Sequence, residues 1–110
     1  MKNIFDAIST KQKDEVFTDL LKCENVRVER IVSYGHSSPE SGWYEQNEHE
    51  WIMVLQGAAE LLYFDQSRKR LKAGDFVLIP AGEKHKVSWT KPSQATVWLA
   101  IFFSGDLLES

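Results

Sequence analysis

The sequence holds a single cysteine, Cys23, in 110 residues. That excludes an internal disulfide framework and any metal site built from cysteine alone. Excess positive charge is missing too: 13 Lys and Arg stand against 16 Asp and Glu, a net charge of −3. A nucleic-acid binder driven by phosphate contacts needs the opposite balance, so no nucleic-acid partner is expected. No run approaches the ~18 uninterrupted apolar residues of a membrane helix, so no membrane partner is expected either. The opening Met1-Lys2-Asn3-Ile4-Phe5-Asp6 lacks an apolar signal core, which makes a cytoplasmic location the expectation. Internal repeats and low-complexity tracts are absent. So are a G-x-S-x-G turn, a phosphate-binding loop and an H-E-x-x-H pair.

What is present suits one domain. A chain of this length, 43% apolar, can bury roughly two-thirds of its unfolded surface without a covalent staple. Residues 2–22 alone read as helical. Val16, Phe17, Leu20 and Leu21 recur at three- and four-residue spacing between charged residues, which predicts a helix over 11–22 capped by Ser9 or Thr10. Ile4, Phe5 and Ile8 form a smaller apolar patch ahead of it. The expected organisation is an N-terminal helical segment, 1–24, packed on a β barrel, 25–110.

From Asn25 onward short β-rich runs alternate with turn residues, the pattern of an all-β sandwich or barrel. Candidate strands are 26–34, 42–46, 50–56, 58–64, 69–71, 76–79, 85–90 and 95–103. Connections this short force antiparallel pairing. Runs 76–79 and 96–103 are apolar on both faces, whereas a strand with one wet face alternates. The outside of the sheet is therefore expected to be covered, by the helix, by a second subunit or by both. A homodimer is the favoured expectation.

The most informative segment runs from Gly74 to His85. Gly74-Asp75 makes a tight turn, Phe76 to Ile79 cross a core, and Pro80 ends the pairing because it has no N–H to donate. Gly82 supplies a turn that tolerates positive φ. His85 then opens the next strand. The spacing, G-x5-P-x-G-x2-H, resembles the second motif of the cupin superfamily, small double-stranded β-helix proteins of jelly-roll type. The family's Asn four residues past the His is Trp89 here.

The family's first motif, G-x5-H-x-H-x3/4-E-x6-G, fits at Glu50-x6-Gly57. In that register Tyr44 and Gln46 take the two His places and Ser38 takes the leading Gly. A second register starts from Gly42 and puts Glu48 and Glu50 in the His places, but then no Glu or Gly follows at the right distance. The tract Gly42-Trp43-Tyr44-Glu45-Gln46 with Glu50-Trp51 is similar to one group of small bacterial cupins. Period two agrees with the first register: Tyr44, Gln46, Glu48 and Glu50 share the parity of Ile52 and Val54, so they can point into a barrel mouth. A bend near Asn47 could swing Glu48 out. His49 has the opposite parity, and His36 lies in a loop.

The resemblance implies an all-β cupin fold whose His85 and Glu50 meet at the barrel mouth. It also implies a divalent metal as a candidate cofactor, held by Gln46, Glu50 and His85. Amide oxygens and phenols are weak ligands for transition metals, so replacing two imidazoles by Gln46 and Tyr44 weakens such a site. The alternative is a polar network of Glu50 and His85 completed by Gln46 and Tyr44. Tyr44, Glu48 and Trp89 are candidate pocket residues. Trp43, Trp51, Trp89 and Trp98 are otherwise core residues, Arg68-Lys69-Arg70 a solvated edge, and Cys23 a buried or helix-end thiol. Two functions stay open around a small-molecule ligand. One is an enzyme: a metal-dependent dioxygenase, or an isomerase with Glu50 as base and His85 as acid. The other is a non-catalytic ligand- or metal-binding sensor. Fold analogy does not choose between them.

Overall fold

The computed structural model describes residues 2–9 and 12–108. Its regular structure is all β: β1 (Val16–Lys22), β2 (Val26–Ser33), β3 (His49–Gln56), β4 (Ala58–Tyr63), β5 (Arg68–Lys72), β6 (Phe76–Ile79), β7 (His85–Thr90) and β8 (Thr96–Phe103). The candidate strands reappear within a residue or so, except 42–46, which is reduced to a single bridge between Tyr44 and His85. Among the described residues no helix is long and apolar enough to cross a membrane.

The strands form two antiparallel layers, one of five in the order β1-β2-β8-β3-β6 and one of three in the order β5-β4-β7. Alternation puts Ile52 and Val54 of β3, Trp98, Ala100 and Phe102 of β8, and Ile79 of β6 on the inner face of the larger sheet. They pack on Ala59, Leu61 and Tyr63 of β4 and Leu71 of β5. Burying each large apolar side chain contributes about 1.5–3 kcal/mol. The indole of Trp98 stays satisfied by donating to Ser33 Oγ at 3.2 Å.

The expected N-terminal helix is not there: residues 16–22 are the edge strand β1. It pairs with β2 from Val16↔Val32 to Lys22↔Arg27, with Leu20 as the extra residue of a β-bulge between Asp19 and Leu21. Phe17 faces the interior with Ile31, while Val16, Thr18 and Leu21 face out. An edge strand with apolar residues on both faces and one inserted residue imitates a helical stripe, and pairing with β2 decides the outcome. Thr10 and Lys11, a cap candidate and the expected helix start, lie outside the described residues. Cys23 is exposed in the turn between β1 and β2, not buried.

The N-terminal turn at 4–7 still covers part of the larger sheet. Arg30 Nη1 donates to the carbonyls of Ile4 (3.0 Å) and Asp6 (2.6 Å). Beyond that end the outer face stays apolar and open. One cross-strand row runs Leu21, Val28, Ile101, Trp51, Leu78, and the next holds Leu99, Met53 and Phe76. Phe76 is 63% exposed and Leu21 50%.

Candidate functional site

A cavity of about 250 Å³ opens between the two sheets. Apolar side chains make most of its wall: Ile31, Trp98, Phe102 and Ile52 from the larger sheet, Leu61 and Val87 from the smaller. Five of its polar side chains come from three places. β3 supplies Glu50, β7 supplies His85, and the segment between β2 and β3 supplies Ser38, Tyr44 and Gln46. That segment lies along the free edge of β7. Tyr44 N–H donates to His85 C=O (2.8 Å) and His85 N–H to Tyr44 C=O (3.1 Å), and Ser38 and Val87 exchange a second pair of bonds. Gly82 N–H donates to Gln46 C=O at 2.8 Å, from a glycine at φ +84°. The Gly82 turn thus performs the role its motif suggests, aiming His85 and fixing the backbone of Gln46 together.

Glu50 and His85 meet. Both are buried, and His85 Nε2 lies 3.2 Å from Glu50 Oε1. His85 Nδ1 lies 3.0 Å from the carbonyl of Glu83. Both partners are acceptors, so the arrangement is satisfied when both ring nitrogens carry protons. Burial by itself pushes the imidazole pKa down. The hydrogen bond to Glu50, the Glu83 carbonyl and the charges of both glutamates outweigh it, so the value is raised. Burial holds the Tyr44 phenol above its ordinary range, and its ring lies 5.7 Å from that of His85. Gln46 Oε1 is buried without a hydrogen-bond partner.

Two expected pocket residues are elsewhere. Trp89 shares the parity of His85, but Ser88 is the extra residue of a bulge: Leu61 pairs with Val87 and Glu60 with Trp89. The bulge turns Trp89 to the outer face, where the Arg70 guanidinium sits 4.4 Å from its ring centroid. Glu48 does not line the cavity; it accepts from Arg27 Nη2 at 3.0 Å. The other histidines are committed to backbone groups. His49 Nδ1 accepts from Ala81 N–H and Nε2 donates to Gly105 C=O. His36 Nδ1 accepts from Tyr34 N–H and Nε2 donates to Lys13 C=O.

Sequence reasoning missed Glu15, Phe17, Arg27 and Glu29, all of which line the cavity. Glu29 is buried and ion-paired to Arg27, whose guanidinium also lies 3.9 Å from the Phe102 ring centroid. The signal available was misleading. In β2 the parity richest in valine, Val26, Val28 and Val32, reads as the core face, yet the polar parity of Arg27 and Glu29 points inward.

The donor set falls short of a transition-metal site. Among the described residues no three His, Cys, Asp or Glu side chains cluster. The Glu50 and His85 atoms nearest each other are spent on their mutual contact, and the third donor is an amide.

The cupin domain family model matches residues 30–102. No curated protein matches. Among solved structures, a candidate mannose-6-phosphate isomerase from Ralstonia eutropha JMP134 is 34% identical, with 96% of this chain and 98% of that one covered and a TM-score of 0.90. A cupin superfamily protein from Desulfitobacterium hafniense DCB-2 is 18% identical over 87% of this chain and 83% of its own, with a TM-score of 0.73. An RmlC-like cupin with a double-stranded β-helix fold from Methanocaldococcus jannaschii is 19% identical over 87% and 85%, with a TM-score of 0.69.

Proposed function

We propose that this chain, which belongs to the cupin domain family, binds a small organic molecule in its inter-sheet cavity and moves protons on it with Glu50 and His85. The observation that carries the reading is the buried imidazole–carboxylate contact at 3.2 Å in a cavity walled mostly by apolar side chains. Perturbed titratable groups in an enclosed pocket are the usual mark of acid–base work. The relative described as a candidate mannose-6-phosphate isomerase agrees with that reaction class. Glu50 takes the proton from a carbon beside a carbonyl, and the C–H electron pair becomes the double bond of an enediol. His85 gives its Nε2 proton to the carbonyl oxygen. Reversal at the neighbouring carbon completes an isomerisation. No step is routed through a metal, because the donor set does not fit one.

The test is proton exchange on simple hydroxy-carbonyl compounds, dihydroxyacetone and glyceraldehyde, in D2O. Deuterium incorporation above the buffer rate is expected, and its loss in both Glu50→Gln and His85→Ala. Binding without exchange in the wild type would replace catalysis by the sensor reading. A stoichiometric ion after reloading with Mn, Fe, Ni or Zn, lost in His85→Ala, would replace it by metal chemistry.

We also propose that a second copy of the chain covers the open face of the larger sheet. Five strands at ~4.8 Å make it ~24 Å wide. Two cross-strand rows at ~7 Å give an apolar footprint on the order of 340 Å², a little under half of the ~800 Å² per partner that a stable interface takes, with the flanking strand ends supplying the rest. An apolar sheet face is complementary to itself about a two-fold axis. Sedimentation is expected to give twice the chain mass for the wild type and the chain mass for Phe76→Glu; a wild-type monomer at all concentrations overturns the proposal.

A further inference from the structure

We infer that the molecule bound in this cavity is a small organic ammonium ion, not a phosphate or a carboxylate. The inference rests on the small-molecule reading above and goes beyond it by fixing the ligand's charge. Three carboxylates line the cavity, Glu15, Glu29 and Glu50, against two cationic groups, Arg27 and His85. Both cations are already paired within the protein. Arg27 spends Nη1 on Glu29 and Nη2 on Glu48, and His85 spends both ring nitrogens on Glu50 and the Glu83 carbonyl.

The acceptors are in surplus. Each lining carboxylate uses one oxygen: Glu15 Oε2 accepts from Ser33 Oγ at 2.7 Å, Glu29 Oε2 from Arg27, and Glu50 Oε1 from His85. The second oxygen of each takes no hydrogen bond among the described residues. Gln46 Oε1 is an independent sign of the same surplus, a buried acceptor with no donor. An anion entering here loses its water and meets more carboxylates than cations. An ammonium group brings three donors to the unpaired carboxylate oxygens of this wall. The aromatic side chains of Trp98 and Phe17 line the same cavity, and Phe102 already carries one cation, the Arg27 guanidinium, 3.9 Å from its ring centroid. At about 250 Å³ the cavity holds roughly eight waters' worth of ligand, so the molecule is small.

The experiment compares three probes of one shape by Trp98-dependent fluorescence and calorimetry: benzylamine, benzyl alcohol and benzoate, with inorganic phosphate as a fourth arm. Benzylamine is expected to bind at least about tenfold more tightly than benzyl alcohol, as a charge-assisted bond warrants. Benzoate and phosphate are expected not to bind. Leu61→Trp, which fills the cavity, is expected to abolish benzylamine binding. Glu29→Gln, which removes one of the two carboxylates paired with Arg27 and one acceptor charge, is expected to weaken benzylamine and admit benzoate; the wild-type comparison stands if that variant does not fold. Benzoate or phosphate binding as tightly as benzylamine overturns the inference and leaves the small-molecule reading intact. Binding by none of the four overturns both.

Discussion

His85 has two acceptors and no donor facing its ring nitrogens, so the fold favours the doubly protonated imidazole. The consequence for stability has a definite sign. The pKa is raised on folding, so the native state holds more proton than the unfolded chain around neutrality. The contribution is complete below the unfolded imidazole value of ~6.5 and is lost as pH rises through the folded value. The melting temperature is therefore expected to fall between pH 6 and pH 8, and the fall to shrink in Glu50→Gln, which removes the charge holding the proton. A wild-type profile rising over that range would contradict the assignment. Two glycines separate strain from crowding. At Gly82, φ is +84° and a Cβ meets nothing within 4 Å; at Gly57, φ is +89° and a Cβ would lie 2.4 Å from Thr96 Oγ1 and 2.8 Å from Thr96 Cα. Gly82→Ala is expected to cost about 1–2 kcal/mol, the left-handed penalty alone. Gly57→Ala adds overpacking against a backbone atom, for about 2–4 kcal/mol in total. Denaturant titration of the two variants checks the order.

Strands were readable where alternation was regular and misread where it was broken. β3 runs without interruption from Glu50 to Val54, so the parity argument carried Glu50 to the cavity, whereas outside the strand the same parity held for Gln46 and failed for Glu48. β7 looked equally regular, but the bulge at Ser88 lies between His85 and Trp89 and reverses the face of the second. Nothing in the sequence near Ser88 marks that insertion; it is fixed by pairing with β4 and by Ser88 Oγ bonding Glu60 Oε1 at 2.8 Å. β1 failed for the same reason, through the extra Leu20. The Gly74–His85 motif succeeded because its chemistry is local: a glycine turn, a proline stop and a second glycine fix His85 whatever the sheets do. The bulge makes a prediction at this scale. Trp89→Ala loses the stacking on Arg70 and is expected to cost about 1–2 kcal/mol by thermal melting. Ligand affinity is expected to stay within about twofold, since the ring never reaches the cavity; a tenfold loss would contradict the outward assignment.

The molecule as a whole is asymmetric between its two sheets. The outer face of the smaller one is polar and paired, with Glu60 bonded by Arg68 and Arg70 at 2.7 and 3.1 Å. The outer face of the larger one is apolar, and the N-terminal turn reaches only one end of it. This division was half legible: the two-sided apolar runs announced a cover, but the source of that cover does not follow from one chain's pattern. The cavity has its own asymmetry. Two walls are paired strands, and the third is the 34–48 segment, held along β7 by single bridges at Ser38 and Tyr44. The amides of His85 and Val87 therefore depend on that segment for protection from solvent, while their neighbours on β4 are locked between two strands. Hydrogen–deuterium exchange at those two amides becomes a gauge of how often the wall swings away. A ligand that seals it from within is expected to slow both together.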